Sequence, residues 1–173
     1  CSCEPGQPVR RWKIDTGTNG EVVCARDGKL LACSTAAGPA FEGAGIRCGM
    51  RAAPGAIEKV WIEEGHLKIS VIDQEKPLGI CGSGVIDLIA ALRRAGLIND
   101  KGRMLEREEA LALGIPESLA DGLRKTDTGM EFPVWKEEDE EIILTQNDVR
   151  EIQLTKGAML AGMKTLMKIA GID

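Results

Sequence analysis

The seven residues Asp15-Thr16-Gly17-Thr18-Asn19-Gly20-Glu21 put an acidic residue, two glycines and short polar side chains into one tight turn between apolar segments. Backbone N–H groups in such a corner can converge on an anion, and a neighbouring carboxylate can hold the waters of a magnesium ion that accompanies a nucleotide. An ordinary hairpin would read the same way, because one glycine-rich motif is common. A second glycine-rich segment, Gly79-Ile80-Cys81-Gly82-Ser83-Gly84, opens a helix. Its glycines either seat an anion on the helix N-terminus or let the helix pack flush against a sheet. Hydrolase chemistry has little support. The segment lacks the second glycine of a nucleophile elbow, and the single histidine, His66, stands in a turn beside Gly65.

The elements that would position these residues follow from periodicity and turn chemistry. Residues 12–15, 21–26 and 29–34 read as strands, with Asn19-Gly20 and Asp27-Gly28 as hairpin turns, giving a three-stranded meander. Small residues dominate 34–56, with a short helix around Phe41. Residues 57–63 and 67–72 read as a hairpin around Gly65-His66, with Leu67, Ile69 and Val71 alternating against polar neighbours. The helix opened by the second glycine segment carries Val85, Leu88, Ile89 and Leu92 on one face and ends at Gly96. Two short helical pieces split by Gly114 and Pro116 fill 106–125, and the charges of 136–141 read as a solvated edge. A last helix runs from Thr145 to about Ala170, its start marked by a capping-box pattern of Thr145 and Asp148. Val149, Ile152, Leu160, Met163 and Met167 supply its apolar surface, and Gly157, Ala158, Ala161 and Gly162 a small-residue patch.

A chain of 173 residues that is 43% apolar can build one full core with a small lobe attached. A formal charge of -5 with mixed signs excludes a nucleic-acid footprint, which needs a basic face. No apolar run approaches the roughly 20 residues that cross a bilayer, so a cytoplasmic protein with no membrane partner is expected. The six cysteines are scattered, which argues against a disulfide framework. Cys1-Ser2-Cys3 is too short to build a four-ligand metal site, and no metal ligand set is assigned in the chain. Residues 1–11 are polar and proline-bearing and read as a disordered or foreign segment; residues 12–173 read as the domain.

Five ordered blocks then carry a resemblance: residues 14–21, 31–43, 48–57, 79–87 and 145–154 resemble the C-terminal ATPase region of the reductive activators of corrinoid proteins. The resemblance implies an α/β, ribonuclease-H-like subdomain of the actin, sugar-kinase and heat-shock ATPase superfamily. Members are iron-sulfur proteins that use ATP to return an inactive Co(II) corrinoid protein to Co(I). Residues 15–19 would then be a phosphate-binding loop, Asp15 acting on magnesium-bound water and Gly17, Thr18, Asn19 and Gly20 contacting phosphate. Ser34, Gly38, Gly82, Ser83 and Gly84 would lie near the same cleft. The implied cofactors are ATP with magnesium, and a [2Fe-2S] cluster held outside this chain. The implied partners are a corrinoid protein and a second copy in a homodimer.

The departures bear on what this stretch does by itself. The family's cluster-binding cysteine pattern, its first ATPase subdomain and its Ala-Gly-Gly-Phe-Gly adenosine loop do not occur in these residues. Nucleotide binding by this stretch alone is expected near the millimolar level, about -4 kcal/mol. Thr16 replaces a larger aliphatic residue, a mild change in a strand. Two other functions stay open at this point: a dimerisation and docking module, and a small-metabolite kinase of the same fold, for which no catalytic base is identifiable.

Overall fold

The computed structural model describes residues 11–17, 19–26 and 28–172. The chain divides into two compact units, one containing residues up to Pro39 and from Leu154 onward, the other Ala40–Gln153.

In the first unit, β1 (Arg11–Thr16), β2 (Gly20–Arg26) and β3 (Lys29–Thr35) pair antiparallel in the order β1-β2-β3, the expected meander. Two boundaries differ from the sequence expectation. Thr16 pairs with Gly20, so the first turn is residues 17–19 and Gly20 opens β2 instead of closing the turn. Arg11, expected in the foreign segment, pairs with Ala25 as the first residue of β1; residues 1–10 lie outside the described residues. The second turn joins the paired residues Arg26 and Lys29, and Gly28 adopts the positive φ of 74° that such a tight turn requires.

Strand alternation buries Val22 and Cys24 completely and leaves Glu21 exposed. Against the buried face packs the helix α4 (Gln146–Ala170), through the part that follows Gln153, with Leu166 buried in one cluster with Val22 and Cys24 against which Trp12, Leu31, Cys33 and Met163 pack. Leu160, expected to be apolar packing surface, is 47% exposed. Met159 and Leu166 are buried instead, which places the inward stripe one residue away from Leu160 on a helix of 3.6 residues per turn. Arg26 donates from Nη1 to the carbonyls of Ala170 and Gly171, a cation at the end where the helix dipole favours one.

A 3₁₀ turn at Pro39–Glu42, the short helix expected near Phe41, leads into the second unit. β4 (Ala56–Glu63) pairs antiparallel with β5 (His66–Val71) and parallel with the short β6 (Gly79–Ile80). The helix α1 (Gly82–Arg94) follows at once and buries Val85, Leu88 and Leu92 in the core of this unit. Full burial of each such side chain contributes about 1.5–3 kcal/mol. Two short helices, α2 (Arg107–Ala112) and α3 (Glu117–Ala120), flank Gly114 and Pro116 as expected.

The third sheet was not legible beforehand. β7 (Arg124–Thr126), β8 (Gly129–Glu137) and β9 (Glu140–Thr145) form an antiparallel sheet in the order β7-β8-β9. Its central strand carries Pro133, which cannot donate to a ladder; the register shifts between Pro133 and Trp135, so the proline occupies an irregularity. The charged stretch 136–141 comprises the paired ends of β8 and β9 and the turn Glu138-Asp139 between them, exposed except for the half-buried Glu141, and there Lys76 bridges Glu137 and Glu140 at 3.1 and 2.6 Å.

At the start of α4 the capping box is present. The Asp148 N–H donates to Thr145 Oγ1 (3.1 Å) and the Thr145 N–H to Asp148 Oδ2 (2.8 Å). Asp148 is 2% exposed, and its Oδ1 also accepts the Arg47 N–H at 2.9 Å, which satisfies the buried carboxylate.

Candidate functional site

Register in the β1-β2-β3 sheet builds the site. Asp15 pairs with Glu21, and Glu21 pairs with Ser34, so the three side chains form one cross-strand row. All three are exposed, on the face opposite the one that buries Val22 and Cys24. Side chains directly opposite in an antiparallel pair stand about 4.5–5.5 Å apart at Cβ, and two like charges there oppose folding. Water screens that repulsion, and a hydrated divalent cation with an anionic ligand would reverse it. The glycine turn 17–19 lies at the end of this row: Gly17 is half-buried and Asn19 exposed, while Thr18 lies outside the described residues.

Gly20 is buried because no side chain fits there. A Cβ at that position would stand 2.6 Å from Thr35 Oγ1 and 3.3 Å from both Ala37 Cβ and Met159 Cγ. Thr35, paired with Gly20 across the strands, donates its hydroxyl to the Gly20 carbonyl at 3.1 Å. Beyond β3 the chain turns at Gly38, whose φ of 78° suits glycine and around which a Cβ would meet open space.

The remaining candidates, Gly82, Ser83 and Gly84, belong to the second unit, where each has its own contacts. A Cβ on Gly82 would fall 1.6 Å from the Phe41 carbonyl oxygen, and one on Gly84 would fall 2.2 Å from the Ile57 carbonyl oxygen. Both glycines therefore let α1 approach backbone closely, the packing reason for glycine at a helix start. Ser83 Oγ donates to the Glu58 carbonyl at 2.9 Å and lies 3.3 Å from Cys81 Sγ. A cavity of about 400 Å³ opens at the start of α1, with Arg51, Gly82 and Ser83 in its lining.

Asp15, Glu21 and Ser34 thus come together around the first turn by local pairing. Glu21, the last residue of the glycine-rich motif, carried no site role in the sequence, although counting three residues between Thr16 and Gly20 places it opposite Asp15. Thr35 carried no sequence signal, since its role depends on α4. Among the described residues no group of three or more His, Cys, Asp or Glu side chains is arranged to hold a metal ion directly. Cys24, Cys33, Cys48 and Cys81 are free thiols, the first and last of them buried. Cys1 and Cys3 lie outside the described residues. No helix among the described residues is long and apolar enough to cross a membrane.

Comparison with known proteins bears on the family and the fold. A family model described as the C-terminal domain of RACo, the ASKHA domain, matches residues 12–173. The corrinoid activation enzyme RamQ of Eubacterium limosum is 41% identical over 174 residues, covering 97% of this chain and 28% of that protein. The Co(II) methylated amine-specific corrinoid protein reductase of Methanosarcina barkeri is 29% identical over 188 residues, 96% of this chain and 30% of that protein. A solved structure, the reductive activator for corrinoid, iron-sulfur protein, superposes with a TM-score of 0.79 at 36% identity, covering 94% of this chain and 25% of that one. The chain therefore spans less than a third of the length of each relative. With a family model matched over residues 12–173, the chain belongs to the family of RACo C-terminal ASKHA domains, and its fold is that mixed α/β ATPase fold.

Proposed function

We propose that this chain is the C-terminal ATPase part of an ATP-dependent reductive activator that returns an inactive Co(II) corrinoid protein to Co(I). The observation that carries the reading is the row of Asp15, Glu21 and Ser34 beside the glycine turn, in a domain of this family. Asp15 orients magnesium-bound water, and the N–H groups of Gly17 and Asn19, with Thr18 and Gly20, hold phosphate oxygens. Each charge-assisted hydrogen bond of this kind contributes about 1.5–3 kcal/mol. Magnesium bound with the nucleotide neutralises phosphate charge. Ser34 extends the row with a neutral hydroxyl, which can donate to an anion where a third carboxylate would repel it. Gly38 completes the proposed phosphate contacts of the first unit, while Gly82, Ser83 and Gly84, in the second unit, are accounted for by their own contacts there.

In this reading, ATP binding or hydrolysis changes the activator's grip on the corrinoid protein, and the electron is delivered from an iron-sulfur cluster outside this chain. The protein works in the cytoplasm as a homodimer. Family membership and two relatives named for corrinoid proteins support the activator over a small-metabolite kinase.

The test is Asp15→Ala in the full-length protein. ATP-dependent reduction of the corrinoid protein, followed by the visible spectrum of the cobalt, is expected to disappear while the cluster's own spectrum is unchanged. Undiminished ATP-dependent reduction would reject the reading.

A further inference from the structure

We infer that Thr35 is a positioning residue for the phosphate turn, holding the Gly20 carbonyl directly after it in place from the α4 side of the sheet. This rests on reading residues 15–20 as a nucleotide seat. Thr35 faces Gly20 directly across the strand pair and donates its hydroxyl to the Gly20 carbonyl at 3.1 Å. On the other side its methyl group rests against α4: a Cβ on Gly162 would come within 2.4 Å of Thr35 Cγ2. Glycines at 20 and 162 thus leave a slot the width of one threonine, with the helix on one side and the end of the turn on the other.

Strand alternation puts Thr35 on the α4 face, opposite the face carrying Asp15, Glu21 and Ser34. It therefore acts through Gly20 and not on phosphate. The hydrogen bond fixes the peptide plane between Gly20 and Glu21, and so the exit of the turn. The segment after Thr35 is itself held. The Ala37 N–H donates to the Thr35 carbonyl at 2.8 Å, and the buried Thr155 hydroxyl of α4 donates to the Ala37 carbonyl at 2.9 Å. A side chain clamped at both ends in this way can transmit the placement of α4 to the turn.

The experiment measures Mg-ATP affinity by calorimetry on the full-length protein for wild type, Thr35→Val, Thr35→Ser, Gly162→Ala and Asp15→Asn, with unfolding midpoints recorded without nucleotide. Thr35→Val keeps the shape and removes the donor; it is expected to raise Kd about ten-fold, the order of one lost hydrogen bond. Thr35→Ser restores the donor and is expected to bind within about three-fold of wild type, even if its midpoint falls with the lost methyl group. Gly162→Ala presses on Thr35 from α4 without touching the turn and is expected to weaken binding in the same direction. It carries the test if Thr35→Val does not fold. Wild-type affinity in Thr35→Val, with affinity lost in Asp15→Asn, overturns the inference and leaves the nucleotide seat standing. Equal weakening in Thr35→Ser and Thr35→Val also overturns it, since packing and not the hydroxyl would then matter. Wild-type affinity in Asp15→Asn overturns the nucleotide seat and the inference with it.

Discussion

Gly157 and Gly162 lie five positions apart on one helix, and alanine should act on them in opposite directions. Neither has the positive φ that would forbid a side chain, so backbone strain is not at issue. At an interior helical site, Gly→Ala gains about 0.8–1 kcal/mol from propensity, and this gain is shared by both positions. A Cβ on Gly157 meets nothing within 4 Å, so Gly157→Ala should keep most of that gain. A Cβ on Gly162 falls 2.4 Å from Thr35 Cγ2 and 3.1 Å from Cys33 Sγ, with Val22 Cγ2 at 3.8 Å. The first contact needs more than an ångström of relief, and both β3 neighbours belong to the sheet, so the helix and the sheet must part or a rotamer must change. Forcing a methyl group into a packed core costs about 1–3 kcal/mol. Because the propensity gain cancels, the difference between the two variants isolates that cost: Gly157→Ala should be about 1–3 kcal/mol more stable than Gly162→Ala. Urea unfolding monitored by circular dichroism at equal slope measures it. Equal midpoints would show that α4 does not lie on this sheet as closely as its glycine implies.

Glu21→Gln should separate stability from function. Removing the like charge opposite Asp15 should raise stability by about 0.2–1 kcal/mol, less at high salt, while weakening Mg-ATP binding. A variant less stable than wild type would contradict the cross-strand repulsion. A second test concerns Glu109, which Arg103 grips at 2.7 and 3.0 Å and to which the Glu106 N–H donates at 2.9 Å. The Arg103 hydrogen bond, followed by the Glu106 backbone donor, holds this carboxyl down at about 2 from an ordinary 4.5. A carboxyl depressed on folding adds stability above its unfolded value and loses it as pH falls, here between about 4.5 and 2. The pair is exposed, so the effect on overall stability is small, and the carboxyl carbon shift in an NMR acid titration is the sensitive readout. Arg103→Gln should move the midpoint up toward 4.5; an ordinary midpoint in the wild type would contradict the pairing.

The elements that could be read in advance were those written by neighbours in the chain. The capping box of Thr145 and Asp148, the alternation of Leu67, Ile69 and Val71, and the tight turn before Lys29 are short-range signals, and each element is present. The third sheet was hidden because Pro133 breaks the alternation and the charges that follow resemble a loop, although Phe132 and Val134 are buried on either side of it. On α4, hydrophobicity alone did not separate Leu160 from Met159; the neighbouring sheet decides which is covered. The site divides in the same way. Asp15 and the glycines were visible as residue types, but the row with Glu21 and Ser34 needs strand register, and Thr35 needs the helix above it.

The two glycine-rich segments also differ in what explains them. Gly82 and Gly84 press against the carbonyl oxygens of Phe41 and Ile57, so close packing accounts for both without any ligand. The first segment contains a feature that folding alone would not favour. Asp15 and Glu21 face one another, exposed, across an antiparallel pair in which almost any neutral partner would be more stable. Sequences are locally consistent over most of a fold and break their own rules where function requires it. On the proposed reading the carboxylate pair beside the glycine turn is such a break, because opposed charges that weaken the sheet would become favourable contacts with the cation that accompanies a nucleotide. Stability and nucleotide affinity should therefore move in opposite directions when this pair is neutralised, which no packing role for either carboxylate would produce.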